Sequence, residues 1–269
     1  MAKKHRPVLQ EQQICVSAPS LMRFMVSWSG GKDSTASIIL AHEHREPLDE
    51  IIFCEVMFDI QNGISGENPH HIHFVKEVAK PLFESWGYKV TIVRSSMDYL
   101  YLFNRIIERP TKHIENKGKK YGFPGVGMCN VQRDLKVKPI TEYKRKIMEP
   151  VTQYIGIGID EPKRLESLRK KKGCVSLLEK YGYTEEMARQ KCIEYGLLSP
   201  CYKFSKRGGC WFCPNAKLAE QREIKRIYPG TWAQFVSLED HAEYAAYPKF
   251  NQFRQSLHEI DELLESEKG

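Results

Sequence analysis

The stretch VSWSGGKDST, residues 26–35, decides how this chain is read. An apolar run, LMRFMVS at 21–27, leads into two glycines, a lysine, an aspartate and several hydroxyl side chains, and STASIILAHEH then shows helical periodicity. A strand that enters a glycine turn and then a helix makes a cradle for anions. The glycines let backbone N–H groups face inward, and the helix N-terminus adds unpaired donors and the positive end of its dipole. Ser27, Ser29, Ser34 and Thr35 supply further donors, and Lys32 supplies a point charge. The stretch is not a Walker A loop, which needs glycine where Val26 stands and Ser or Thr where Asp33 stands, and it holds no G-x-G-x-x-G pattern. A turn that merely links strand to helix leaves the crowding of lysine, aspartate and hydroxyls unexplained. The stretch therefore reads as a phosphate site.

Outward from it, EIIFCEVMF at 50–58, YKVTIV at 88–93 and TQYIGIGI at 152–159 read as further strands, rich in β-branched and aromatic residues. NPHHIHFVKEVAKPLFESWG, 68–87, reads as a helix opened by an Asn68 cap and Pro69, and 98–108 as another. This alternation predicts an α/β fold: a mostly parallel twisted sheet flanked by helices, with a helical, cysteine-rich C-terminal segment. The expected organisation is an N-terminal extension at 1–20, a nucleotide-binding α/β domain at 21–173 and the helical segment at 174–269. Ligands of such sheets bind beyond the carboxyl ends of the strands. Ser27 to Ser34, Asp59, and Asp160 with Glu161 all fall at such ends. The Gly-, Pro- and Lys-rich stretch 108–127 reads as a long loop over that rim.

Composition bounds the rest. The 269 residues are 41% hydrophobic, with net charge +7 and mean hydropathy −0.49. No apolar run approaches the ~20 residues of a membrane span, and the basic N-terminus lacks the apolar core of a signal peptide, so no membrane partner and a cytoplasmic location are expected. Basic residues come in bursts at Lys117, Lys119 and Lys120, at Lys136 through Lys146, and at Lys163 through Lys172. Each burst alone reads as a solvated face; together they leave a polyanionic partner open. Eight cysteines in such a chain argue against a disulfide framework. Cys15 and Cys54 read as core packing. Cys210 and Cys213, in RGGCWFCPNA, have the spacing with which two thiolates chelate one metal, although a redox dithiol has it too. His70, His71 and His73 receive no role.

Several motifs now carry a resemblance. SGGKDS resembles the pyrophosphate loop of the adenine-nucleotide α-hydrolase superfamily, and FDIQNGISGENPHHIHFV, GFPGVGMCNVQRDLKVKPITEYKRK, YIGIGIDEPKRLESL and GLLSPCYKFSKRGGCWFCPNAK are similar, in that order, to segments of its phosphoadenylyl-sulfate reductase branch. About residues 21–217 are covered. The resemblance implies ATP and Mg²⁺ as cofactors, with Ser29, Gly30, Gly31, Lys32, Asp33 and Ser34 on the phosphates. Asp59 would bind Mg²⁺ or a ribose hydroxyl, unless it caps a turn. Arg133, Lys136 and Lys138 would reach phosphate or a sulfate-like group, and Asp160, Glu161 and Arg164 would close the far side. Lys32, Asp33, Asp59, Asp160 and Glu161 are the expected catalytic set.

The same resemblance makes Cys129, Cys210 and Cys213 ligands of a [4Fe–4S] cluster, with zinc and a metal-free dithiol as alternatives. The branch carries two adjacent cysteines at the first position, whereas Asn130 follows Cys129 here, so the fourth ligand must be Cys192 or Cys201; Cys192 fits the branch's pattern better. The implied activity is ATP α-phosphate cleavage with adenylyl transfer, activating an acceptor for sulfur transfer. Partners would be an adenine nucleotide, a nucleic acid (tRNA or DNA) and a sulfur-donor protein. Reduction of adenylyl-sulfate or phosphoadenylyl-sulfate is the first alternative, set back because no cysteine follows Cys213 to serve as the branch's C-terminal nucleophile. A non-catalytic nucleotide-binding subunit of a DNA-modification or phage-defence complex is the second.

Overall fold

The computed structural model describes residues 22–124, 129–205, 208–250 and 255–266. The expected extension at 1–20, with Cys15, lies outside the described residues. Seven strands are present among those described: β1 (Arg23–Trp28), β2 (Glu50–Cys54), β3 (Met57–Asp59), β4 (Ile64–Ser65), β5 (Lys89–Val93), β6 (Val151–Tyr154) and β7 (Cys174–Val175). Five form one parallel sheet in the order β5–β2–β1–β6–β7, flanked by helices, while β3 and β4 form a separate antiparallel ribbon. The mostly parallel α/β fold expected from the sequence is thus the fold observed. No helix among the described residues is long and apolar enough to cross a membrane.

Strand β1 is central, which explains its composition. A strand covered on both faces reads as a nearly continuous apolar run rather than an alternating one, and Met25, Val26 and Trp28 are all buried. The helix that follows, α1 (Lys32–Glu43), is buried along its whole middle, from Ser34 to Ala41. It lies between the sheet and the helix Glu185–Glu194, so both its faces are apolar or small. Because β2 and β6 flank β1 on opposite sides, the chain order reverses there. The crevice at that reversal, beyond the carboxyl ends, is where open α/β sheets bind ligands.

The sheet continues past the boundary expected at 173, since β7 pairs with β6 and the helix Glu185–Glu194 packs on α1. A second core lies beside the first. It joins the β3–β4 ribbon, the helix Tyr99–Asn104, residues 131–135 and the C-terminal helices through Phe58, Tyr99, Phe103, Phe123, Trp211, Phe212 and Phe235.

Three elements are shorter than the sequence suggested. The strand expected over 50–58 breaks after Cys54. There Glu55 N–H bonds to Val93 O as the last rung, and the buried Glu55 carboxylate pairs with Lys76 at 2.9 Å and Arg94 at 2.7 Å. The strand expected over 152–159 ends at Tyr154, and Gly156 carries the backbone across the first turn of α1. The helix expected over 98–108 stops at Asn104. From there residues 103–107 pair with 118–122 through Ile107 N–H to Lys119 O (3.0 Å), Gly118 N–H to Ile107 O (2.9 Å) and Tyr121 N–H to Arg105 O (2.8 Å). Residues 246–247 add a third line, with Tyr247 N–H on Tyr121 O at 3.0 Å. The stretch read as a loop over the rim is, as far as residue 124, this braced hairpin on the second core.

Between β1 and α1 the Trp28 indole N–H donates to Thr35 Oγ1 at 3.0 Å, both groups being buried. Thr35→Val keeps the shape and leaves the indole unpaired, which costs about 1–3 kcal/mol. A urea titration should show a lower midpoint with an unchanged slope.

Candidate active site

The turn after β1 is built by short-range bonds. Ser29 N–H donates to Ser34 Oγ (3.2 Å), Ser34 Oγ donates to Gly31 O (3.1 Å), and Gly31 N–H donates to Ser29 Oγ (3.3 Å). Gly30 has φ +71°, a left-handed conformation that favours glycine. A Cβ there would also lie 2.6 Å from the His71 ring. The first-turn N–H groups of α1, including those of Asp33 and Ser34, have no acceptor within the helix. That of Lys32 donates to the Tyr202 hydroxyl at 3.0 Å. Burial pushes the Tyr202 pKa up, so a neutral oxygen stands where an anion's oxygen would bond. Ser27, Ser29, Gly31, Asp33, Ser34, Arg164 and Tyr202 line a cleft of about 300 Å³ at the sheet's reversal point.

The far wall of the cleft is held in place by packing. Gly156 passes so close to α1 that a Cβ would lie 2.5 Å from the carbonyl carbon of Asp33 and 2.6 Å from Ser34 N. This approach brings the segment after β6 to the loop. Lys32 Nζ lies 2.9 Å from Asp33 and 3.2 Å from Glu185. Burial alone pulls the Lys32 ammonium down, but these carboxylates outweigh it and hold its pKa above the usual value. Burial pushes the Asp33 carboxyl up, Lys32 opposes this, and Glu185 and Glu161 add to the rise. Glu161 pairs with Arg164. The Asp160 carboxylate accepts the Glu185 N–H at 3.1 and 3.2 Å, so it caps the helix Glu185–Glu194 and positions Glu185 rather than pointing at the loop. A magnesium ion is usually held by one or two carboxylates together with substrate phosphates, and the acidic excess of Asp33, Glu161 and Glu185 beside the loop suits that.

Other expected site residues lie elsewhere. Asp59 ends β3 in the separate ribbon, where its carboxylate accepts from Asn62 N–H (3.1 Å) and Asn62 Nδ2 (2.7 Å). The Asn62 bonds lower its pKa. It is a turn cap. Arg133 forms a two-pronged pair with Asp134, both bonds 2.7 Å, on a different cleft, and Lys138 is exposed beside Glu142. Ser27 accepts from Gln153 Nε2 and stays on the cleft at the loop.

Lys136 reaches a second cleft of about 380 Å³, whose lining includes Cys129, Cys201, Cys210 and Cys213. Burial and the Glu67 carboxylate push the Cys210 thiol well up, while Lys136 draws it down. Lys136, 3.4 Å from Glu67, is held above its usual range by Glu67 and the cysteines against the effect of its own burial. Cys192 does not join these sulfurs. Its Sγ is buried beneath α1 and donates to Lys32 O at 3.2 Å, whereas Cys201 lines the cleft, its Sγ 3.2 Å from Ser199 Oγ. The preference for Cys192 is therefore reversed. Four sulfurs with a cation among them suit a thiolate-bound metal in kind. Among the described residues, however, no three His, Cys, Asp or Glu side chains are gathered closely enough to hold one.

Three site residues were missed by sequence reasoning: His71, Glu185 and Tyr202. His71 is fully buried, with Nε2 2.9 Å from Ser29 O and Nδ1 2.8 Å from Ser199 Oγ. A carbonyl can only accept, so Nε2 carries the proton and Nδ1 accepts from the serine; burial lowers the ring's pKa and favours this neutral form. Its helical spacing to Phe74 and Val75, both buried, was a legible signal that it faces inward. Glu185 and Tyr202 lie far along the chain and carry no local signal.

No known protein-family profile matches the chain. Among curated proteins, one from Methanocaldococcus jannaschii, described as uncharacterized, is 23% identical over 265 residues; the match covers 90% of this chain, which spans 55% of that protein's length. Among solved structures, the U34-tRNA thiolase NcsA from Methanococcus maripaludis, with its [4Fe-4S] cluster, superposes with a TM-score of 0.38 at 14% identity, covering 91% of this chain and 72% of that one.

His71→Leu should destabilise the protein by about 1–3 kcal/mol, because it leaves the Ser29 carbonyl and the Ser199 hydroxyl without their buried partner. His71→Gln, which retains a donor for Ser29, should recover part of that loss in urea titrations. A leucine variant as stable as the parent would show that the imidazole does not brace the loop.

Proposed function

We propose that this chain cleaves ATP at the α-phosphate, transferring the adenylyl group to an acceptor and releasing pyrophosphate, and that the activation serves sulfur transfer. Within this reading the acceptor is a nucleic acid, tRNA or DNA, and the sulfur comes from a donor protein. The observation that carries the reading is adjacency: Ser29 and Gly208 line both the phosphate-loop cleft and the cleft of four cysteines. Neighbouring nucleotide and thiol chemistry is what activation followed by sulfur delivery requires.

The chemistry asked of the residues is modest. An acceptor oxygen attacks the α-phosphorus, the bond to the bridging oxygen breaks, and negative charge develops on the departing pyrophosphate. Backbone N–H groups at the start of α1 and the Lys32 ammonium face that charge, as fixed donors that need no rearrangement. Tyr202 must yield the Lys32 N–H to the phosphate. Asp33 and Glu185 hold the ammonium in place until then, and with Glu161 they are the groups that would hold Mg²⁺ against the phosphates. Arg164 neutralises Glu161 at the rim. Cys129, Cys201, Cys210 and Cys213 would hold the metal centre. An iron–sulfur cluster held by these thiols would supply redox-active iron beside the activated acceptor; zinc would supply a redox-inert site.

With α-labelled ATP and Mg²⁺, anaerobically purified protein should form AMP and pyrophosphate, faster when tRNA or DNA is added. Lys32→Ala should lower that rate by about 10²–10³, the usual cost of one preorganised charge-stabilising group. ADP with orthophosphate, or an undiminished rate in the variant, would overturn the reading. Sulfite release from a labelled sulfonucleotide in place of ATP cleavage would move the assignment to a reductase.

The ligand assignment has its own test. Visible absorbance from sulfur-to-iron charge transfer should be lost in Cys210→Ser and Cys201→Ser and kept in Cys192→Ala. Loss in Cys192→Ala with absorbance kept in Cys201→Ser would return the fourth position to Cys192.

A further inference from the structure

A third cleft lies beyond the cysteines. The hairpin of 103–107 and 118–122, the braced segment at 246–247 and the helical turn after Cys129 enclose an open hollow of about 1030 Å³. Its charge is positive. Arg105, Arg109, Lys112 and Arg133 face it against Glu108, with Asp134 beside them. Asp134 is shared, lying 2.7 Å from Arg133 and 3.8 Å from Arg105, while among the described residues neither Arg109 nor Lys112 forms an ion pair. The hollow is also aromatic. Tyr101 is 52% exposed, Ile106 49% and Tyr247 37%, and all three line the same hollow; a cluster of exposed apolar side chains, unlike a single one, marks an interaction surface. The Arg105 guanidinium lies 5.3 Å from the centre of the Tyr121 ring, and the Tyr121 and Tyr247 rings are 5.1 Å apart.

One polar group in the wall lacks a partner. Asn130 is 4% exposed and lines the hollow, and its buried Oδ1 has no hydrogen-bond partner among the described residues. A buried amide oxygen left unpaired costs stability unless something else bonds it. The same turn of helix ties this hollow to the thiols. Arg133 N–H bonds to Cys129 O at 3.1 Å, with Cys129, Gln132 and Lys136 on the thiol cleft and Asn130 and Arg133 on the basic one.

We propose that this hollow takes a single-stranded segment of nucleic acid. Arg109, Lys112 and Arg133 receive phosphates, Tyr101 and Tyr247 receive base faces, and Asn130 bonds a base edge. Exposed ring faces beside unpaired cations suit unstacked bases on a charged backbone; a duplex keeps its bases stacked and offers only phosphates. The inference rests on the acceptor being a nucleic acid, and it adds where and in what form the acceptor docks: next to the cysteines, two clefts away from ATP.

The test uses the full chain without ATP, with fluorescein-labelled unstructured 15-nucleotide RNA, the same sequence as DNA, and duplex DNA, in fluorescence anisotropy at several KCl concentrations. Single strands should bind more tightly than duplex. The double variant Arg109→Ala, Lys112→Ala should weaken binding about 10-fold and reduce the slope of log K against log salt by about 1.4, which is two single-strand phosphate contacts. Tyr247→Ala should weaken it about 10-fold with little change in slope. Lys170→Ala with Lys172→Ala, on another exposed basic burst, should bind as the parent does. Equal binding by the groove variants, a duplex preference, or equal loss in the distant control would overturn the proposal. Oligoglutamate competing as well as RNA would assign the hollow to an acidic protein instead. The two readings fail separately: groove-dependent RNA binding without AMP formation removes the adenylyl chemistry alone, and AMP formation without groove-dependent binding removes the docking site alone.

Discussion

A buried imidazole ties the glycine loop after β1 to the rest of the molecule. His71 donates to the Ser29 carbonyl and accepts from Ser199, and its ring lies where any side chain at position 30 would have to go. Ser199 in turn lies against Cys201, and Tyr202 reaches back to the Lys32 N–H. The loop is therefore braced by one helix and by one turn that also lines the thiol cleft. Because buried polar groups are costly to leave unpaired, this network constrains the loop, the helix from Asn68 and the turn at Pro200–Lys203 to move together or not at all.

Charge is arranged around that brace in opposite senses. At the loop, Lys32 lies against Asp33 and Glu185, and Arg164 pairs with Glu161 further out, so three carboxylates stand beside two cations. At the thiol cleft, Lys136 stands between Glu67 and Cys210 and partly offsets the burial and the Glu67 charge that push the Cys210 thiol up. At the outer hollow, cations outnumber carboxylates among exposed rings. Three neighbouring clefts thus differ in the charge they present, which follows from which side chains the two cores deliver to each.

Much of this was legible locally. Signals spanning a few residues settled the glycine turn at 30–31, the capped helix from Asn68 and the parallel alternation, because backbone conformation, capping and burial periodicity act over that distance. Element ends were less legible. Cys54 ends its strand because Glu55 finds the cationic partners Lys76 and Arg94, and Tyr154 ends its own because Gly156 packs across α1. The same holds for roles. Asp59 and Asp160 look alike in sequence, as acids after strands, yet Asn62 turns one into a turn cap and the Glu185 N–H turns the other into a helix cap.

By itself the sequence determined a parallel α/β sheet with a glycine turn after its central strand and a cysteine-rich region late in the chain. Only the tertiary structure decided that Cys201 rather than Cys192 lines the cleft of the other three cysteines, that His71, Glu185 and Tyr202 pack against the loop, and that Arg133 lies on another cleft. The physical reason is range. Hydrogen-bonded turns and helix periodicity are written within a few residues, whereas a site is assembled by packing between segments more than a hundred residues apart, and no local pattern encodes which of two buried cysteines that packing turns toward a cleft.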